Sequence, residues 1–103
     1  MTFAQVHDIP ADEEMYRGIA AAIGDERPTG LIVHLAFRTE VGQRHLSVWQ
    51  SKEDWHRFND ERVRPAVHGF LASAGFEEMP PDPPIDELDV LDVWMGDCVT
   101  PGR

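Results

Sequence analysis

Two histidines with polar and aromatic neighbours are the residues of this sequence best suited to chemistry. His34 and His45 belong to two adjacent runs of alternating residue type, LIVHLAF and QRHLSVWQ. Because an imidazole titrates close to neutral pH, we predict His34 as a catalytic general base or a hydrogen-bond donor to a carbonyl or phenol. A structural histidine bonded to Ser47 or to a backbone carbonyl is the alternative. The further candidates for ligand contact are His45, Ser47, Trp49, Ile32, Tyr16 and Trp94.

Other catalytic and metal-binding patterns are not found in the sequence. His34 and His45 lie diagonally across a predicted hairpin, but two histidines without a third close ligand do not predict a metal site. The sequence contains no glycine-rich nucleotide loop, no Ser-His-Asp order and no Cys-x-x-Cys pair. We therefore expect neither a bound metal nor a tightly bound organic cofactor, and neither nucleotide-driven nor thiol-redox chemistry.

The two alternating runs predict a β-hairpin whose faces differ in character. Successive side chains of a strand point to opposite faces, so one register sorts them all. Pairing Arg38 with Gln43 gives an apolar face formed by Val33, Leu35, Leu46 and Val48. The same register gives a mixed face formed by His34, Ala36, His45 and Ser47, with Ile32 opposite Trp49. We expect the apolar face to pack against helices and the mixed face to line a small-molecule cavity.

Helix and strand signals flank the hairpin on both sides. Residues 2–7 predict a first strand, and the segment ADEEMYRGIAAAIG, with acids at its start and glycine at its end, predicts a first helix. Ser51 and Asp54 form a capping pattern for a second helix, and Pro65 begins a third. The proline-rich run 79–84 predicts an extended connector, and 85–95 a last strand.

This order of elements predicts one α+β domain over residues 1–103, with 96–103 as a loose tail. Strand, helix, two strands, two helices and a strand are the order of the ferredoxin-like, split βαβ fold, a four-stranded antiparallel sheet with helices on one face. The other face would expose Ile32, Trp49 and Trp94. A second copy of the chain is the simplest cover, so we predict a homodimer.

The charge of the chain bears on its partners and location. A net charge of -10 disfavours nucleic acid and anionic membrane surfaces as partners. The first residues show no signal-peptide pattern, and no apolar run is long enough to span a bilayer. Cys98 is the single cysteine and cannot form an intrachain disulfide. We therefore expect a cytoplasmic protein.

Three stretches resemble the dimeric α/β-barrel superfamily, in its antibiotic biosynthesis monooxygenase-like branch. They are the hairpin GLIVHLAF, the strand-to-helix run VWQSKEDWHRF and the break RVRPAV between helices, and the layout is similar to that of small actinobacterial members. The resemblance implies a dimeric barrel and a cofactor-independent, monooxygenase-like activity on an aromatic or polyketide-like substrate. The haem-degrading branch has an Asn on its first strand, where this chain offers Gln5 or His7. The alternative is a non-catalytic binding or structural homodimer whose mixed face is the subunit interface.

Overall fold

The computed structural model of this chain describes residues 2–78 and 83–96. Most of the predicted proline-rich connector, Cys98 and nearly all of the predicted tail lie outside these residues. Within them the sheet has the order β2-β3-β1-β4 and every neighbouring pair is antiparallel, which confirms the ferredoxin-like α+β fold. The elements are β1 (Phe3–Ile9), α1 (Glu13–Ile23), β2 (Leu31–Thr39), β3 (Gly42–Trp49), α2 (Lys52–Phe58), a π-helical turn (Asn59–Val63), α3 (Arg64–Ser73) and β4 (Ile85–Asp89).

The predicted register of the β2-β3 hairpin is confirmed over most of its length. Arg38 pairs with Gln43, and His34 pairs with Ser47. The predicted pairing of Ile32 with Trp49 is wrong, because the register shifts between Leu31 and Val33 and Leu31 lies opposite Trp49 instead. A bulge of this kind inserts one unpaired residue and turns the strand, so Leu31 joins the side of the sheet that Trp49 occupies.

The prediction that the apolar face packs against the helices is wrong, and the helices cover the mixed face. The Trp49 ring lies 5.7 Å from the Trp55 ring of α2 and 5.4 Å from the Phe58 ring. Phe3, which lies opposite Trp49 on β1, completes the core together with Leu31. Aromatic side chains bury the largest apolar areas, so the face that holds them gains most from helix cover.

The opposite face of the sheet is apolar and partly open. Its exposed members include Leu35, Phe37 and Leu88, at 45%, 46% and 49% exposure. Because the mixed face lies under the helices, the predicted alternative in which it forms the subunit interface is wrong.

Two contacts hold α1 against the other helical elements. At Gly18 of α1, an added Cβ would lie 2.4 Å from a ring carbon of Phe70, so only glycine allows this approach of α1 to α3. Arg62, on the π-helical turn, donates a hydrogen bond of 3.0 Å to the carbonyl of Ile23 at the end of α1. Its guanidinium lies 5.1 Å from the centre of the Phe58 ring.

The π-helical turn explains how one helical path continues through Pro65. Proline has no backbone N–H to donate, and in an α-helix its ring clashes with the carbonyl four residues earlier. Here the Arg64 N–H bonds to the carbonyl of Asn59, five residues back, which widens the turn before the proline. The predicted break between the helices is therefore a π-helical turn. In the described part of the chain, no helix is long and apolar enough to cross a membrane.

The last strand is shorter than the predicted span 85–95. β4 ends at Asp89, which lies opposite Phe3, the first residue of β1. Because β1 begins at Phe3, it has no further strand residue that could pair with the residues after Asp89. The alternating sequence pattern therefore continues past Asp89 without forming a paired strand. Leu91 and Trp94 in this segment are 99% and 89% exposed.

Candidate functional site

Three histidines from three strands meet on the helix-covered face of the sheet, and we call His7, His34 and His45 the imidazole cluster. The ring of His45 stacks on that of His7 at 5.3 Å with an angle of 9° between their planes. The His34 ring lies 5.4 Å from His45 on the other side, and the Tyr16 ring of α1 lies 5.3 Å from it. His45 is buried and His34 is exposed, so the cluster runs from the interior to solvent.

Strand pairing explains why these residues meet. His7 on β1 lies directly opposite His45. On the other side of β3, Ala36 of β2 also lies opposite His45, and His34 precedes Ala36 by two residues on the same face. Since side chains two residues apart share a face, Gln43, His45, Ser47 and Trp49 form one row along β3. The cluster is therefore fixed by the sheet and closed from above by Tyr16.

A chain of hydrogen bonds connects the cluster to the start of α1. His34 Nε2 lies 3.2 Å from His45 Nδ1, and His45 Nε2 lies 3.1 Å from Gln43 Oε1. The amide nitrogen of Gln43 donates to the carbonyl oxygens of Ala11 and Asp12, at 3.1 and 2.7 Å. The buried end of the cluster is thus tied to backbone groups that cannot move without shifting the helix.

A second polar row accompanies the first. Gln5 Oε1 lies 2.6 Å from His7 Nδ1, and Gln5 Nε2 donates to Ser47 Oγ at 2.8 Å. The Trp49 indole N–H also donates to Ser47 Oγ, at 2.8 Å. Among the described residues, no buried side-chain nitrogen or oxygen lacks a hydrogen-bond partner. A mixed face can lie under helices for this reason, since buried polar groups cost little once they are paired.

Burial and repulsion between the rings lower the pKa values of two members of the cluster, His45 and His7. Burial, together with the neighbouring His34 and His7, lowers the pKa of His45 to about 4. Burial also lowers the pKa of His7, and His34 contributes to this lowering. The Asp8 carboxylate acts in the opposite direction and raises the pKa of His7. A neutral imidazole keeps one lone pair, so it can accept a proton or a hydrogen bond.

Two open grooves reach the flanks of the cluster. One, of about 730 Å³, lies where β4 begins beside β1 and is lined in part by His7. The other, of about 540 Å³, lies between the hairpin turn and the start of α1 and is lined in part by Gln43. Both volumes fall in the range of ligand pockets, roughly 300–1,000 Å³.

The structure brings together most of the residues predicted for the site. His34 and Tyr16 contact His45 directly, Ser47 is connected to it through Gln5 and His7, and Trp49 continues the row into the core. Ile32 lies in the bulge and does not lie opposite Trp49 as predicted. Trp94 lies beyond the end of β4 and is 89% exposed, so it is not part of this cluster in a single chain.

Three residues of the site were not predicted from the sequence. Gln5, His7 and Gln43 all contribute hydrogen bonds or ring contacts to the cluster. In the sequence analysis, Gln43 appears only as the partner of Arg38 in the predicted hairpin. The spacing of two between Gln5 and His7 was the available signal, because it places both on one face of β1.

The cluster lacks the geometry of a metal centre. In the ranges 2–78 and 83–96, no group of three or more His, Cys, Asp or Glu side chains is arranged to hold a metal ion. The prediction that no metal binds is not tested by this arrangement. Hydrogen bonding and proton transfer are chemistry that the imidazole cluster can supply.

The fold of this chain is shared with several solved structures. No family model matches this chain, and no curated protein sequence is similar to it. A Caulobacter crescentus protein described as an antibiotic biosynthesis monooxygenase superposes with a TM-score of 0.61 at 16% identity, over 88% of this chain and 91% of its own. SnoaB, a cofactor-independent oxygenase from Streptomyces nogalater, superposes with a TM-score of 0.54 at 14% identity, over 89% and 93% of the two chains.

A third similar structure carries a different activity. A haem-degrading protein from Mycobacterium tuberculosis has a TM-score of 0.51 at 16% identity, over 90% of this chain and 99% of its own. This chain is therefore a ferredoxin-like α+β protein. More narrowly, its fold is the one shared by antibiotic biosynthesis monooxygenase-like proteins, as the sequence resemblance implied. One fold hosts different reactions here, so the activity must be argued from the site.

Proposed function

We propose that this chain binds a small aromatic or polyketide-like molecule between its sheet and its helices and acts on it as a cofactor-independent, monooxygenase-like enzyme. The observation that carries the proposal is the imidazole cluster, whose buried His45 bonds to the exposed His34. In this proposal His34 takes a proton from a phenolic or enolic hydroxyl group. SnoaB, with the same fold, is a cofactor-independent oxygenase, which supports this choice of reaction class.

The proposed reaction removes a proton before oxygen is used. A deprotonated hydroxyarene is more electron-rich than the neutral form and reacts more readily with dioxygen. The balance for 1-naphthol is one phenol and one O₂ giving one 1,4-naphthoquinone and one water. His34 holds the phenolic proton, and the aromatic ring of Tyr16 lies beside the cluster, 5.3 Å from the His45 ring.

A binding and oxygen-uptake experiment with 1-naphthol tests the proposal. We expect saturable quenching of tryptophan fluorescence in the wild type and a Kd about 5- to 30-fold weaker in His34→Ala, since one lost hydrogen bond to a ligand costs about 1–2 kcal/mol. The matched control is His56→Ala, an exposed histidine on α2 outside the cluster. Equal binding by both variants would contradict the role of His34. Binding without oxygen uptake would leave a ligand-binding protein without turnover.

We also propose that two copies of the chain associate through the apolar face of the sheet. Leu35, Phe37 and Leu88 are about half exposed there, and large apolar side chains left exposed on one sheet face favour an interface. Leu35→Glu should convert the dimer to a monomer in sedimentation at micromolar concentration, whereas Gln50→Glu adds the same charge at an exposed position after β3 and should not. A wild-type monomer would contradict the proposal. A cytoplasmic location stays a prediction from the sequence.

A further inference from the structure

Gln43 is the one member of the hydrogen-bond chain whose donors and acceptors are fixed by its surroundings. Its amide nitrogen lies 3.1 Å from the carbonyl oxygen of Ala11 and 2.7 Å from that of Asp12. A backbone carbonyl can only accept a hydrogen bond, so the NH₂ group of Gln43 must point at these two oxygens. The Gln43 Oε1 atom therefore faces His45 Nε2, 3.1 Å away.

This orientation determines the protonated nitrogen of each of the next two rings. Because Gln43 Oε1 only accepts, His45 must carry its proton on Nε2. The His45 ring is neutral at pH 7, so its Nδ1 has a lone pair and accepts the bond from His34 Nε2, 3.2 Å away. His34 in turn carries a proton on Nε2, and its basic nitrogen is Nδ1.

We infer that Gln43 is a positioning residue that fixes the tautomers of His45 and His34 and thereby makes Nδ1 the proton-accepting atom of His34. The functional meaning of this inference rests on the proposed role of His34. When Nδ1 takes a proton, the His34 Nε2–H stays bonded to His45 Nδ1, so no second proton has to move. A charged donor strengthens that bond, which stabilises the protonated form of His34.

The position of Gln43 suits this role. Gln43 is buried at 6% exposure and lies two residues before His45 on the same face of β3. The carbonyl of Asp12 also accepts the Tyr16 N–H in the first turn of α1, so the amide is anchored to the helix that covers the cluster. Gln5 is the matched residue on β1, since it is equally buried and bonds to His7 and not to His34 or His45.

Nitrogen-15 NMR of the ligand-free protein tests the inference. We expect a scalar coupling across the His34–His45 hydrogen bond with His34 Nε2 as the donor, and a slowly exchanging proton on His45 Nε2. In Gln43→Leu the His45 Nε2 proton signal should be lost. Gln5→Leu, which leaves the Gln43 amide and its bonds intact, should leave it in place.

A coupling with His45 as the donor, or a His45 Nε2 proton signal that persists unchanged in Gln43→Leu, would overturn the inference. The donor direction is measured on the wild type, so the test stands even if Gln43→Leu fails to fold. These spectra need neither ligand nor turnover. Their failure would leave the proposed function standing, whereas a failure of 1-naphthol to bind would remove the proposed function and leave the tautomers unaffected.

Discussion

The burial of a neutral histidine predicts that the protein loses stability as the pH falls. His45 has an ordinary pKa of 6.5 when unfolded and a pKa of about 4 in the folded chain. Between these values the unfolded state binds more protons than the folded state, so acid favours unfolding. The contribution of His45 is complete above pH 6.5 and is progressively lost as the pH falls toward 4.

The size of the effect follows from these two values. Taking the pKa of about 4 at face value, the free energy of unfolding falls by about 2 kcal/mol between pH 7 and pH 5 through His45 alone. Solvent around the cluster screens part of this, so about 2 kcal/mol is an upper value. A domain of this size has a total stability of about 5–15 kcal/mol, so the change is measurable.

Urea unfolding of the wild type and of His45→Gln between pH 7 and pH 5 measures it. The two proteins carry the same carboxylates and the same His7, so the difference between their pH profiles isolates His45. We expect the wild type to lose up to about 2 kcal/mol more than the variant over this range. Parallel profiles would refute the claim that His45 is buried as a neutral ring.

Two further predictions concern the helices. Gly18→Ala should lower the free energy of unfolding by about 1–3 kcal/mol, because its Cβ would lie 2.4 Å from a ring carbon of Phe70. The control is Gly69→Ala, whose Cβ meets nothing within 4 Å. That substitution should stabilise the chain by up to about 1 kcal/mol. Thermal unfolding compares the pair, and equal shifts in Tm would contradict the packing of α1 on α3. Ser51→Ala removes the side-chain cap of α2 and should cost about 1 kcal/mol by urea unfolding, while Ser51→Thr should keep most of it; equal losses in both would argue against the cap.

The alternation of residue types predicted much of the site. His34, His45, Ser47 and Trp49 share one face in the structure, because a strand has a period of two whatever lies above it. The choice of face for the helices was predicted wrongly. By hydropathy, the β3 row that contains Gln43 and His45 is polar and should face away from the helices. Hydrogen bonds between these side chains nevertheless allow them to be buried, and Trp49 in the same row adds a large apolar area.

The remaining differences arise from contacts between distant parts of the chain. His7 joins the cluster through the pairing of β1 with β3, and no local pattern specifies a register between strands that far apart in sequence. Trp94 shows the opposite case. The residues around Trp94 alternate in type, which predicts a strand. β4 nevertheless ends at Asp89, which pairs with Phe3, the first residue of β1. A strand requires a partner as well as a pattern.

The most direct test of the proposed site is to map where 1-naphthol binds. Two-dimensional NMR of the labelled protein during a titration follows the ring signals of His34 and His45 and the methyl signals of Leu35 and Leu88 at once. We predict saturable shifts at His34, His45 and the Trp49 indole, on the helix-covered face. Shifts confined to Leu35 and Leu88 on the apolar face, or no saturable shift at the two histidines, would contradict the proposal.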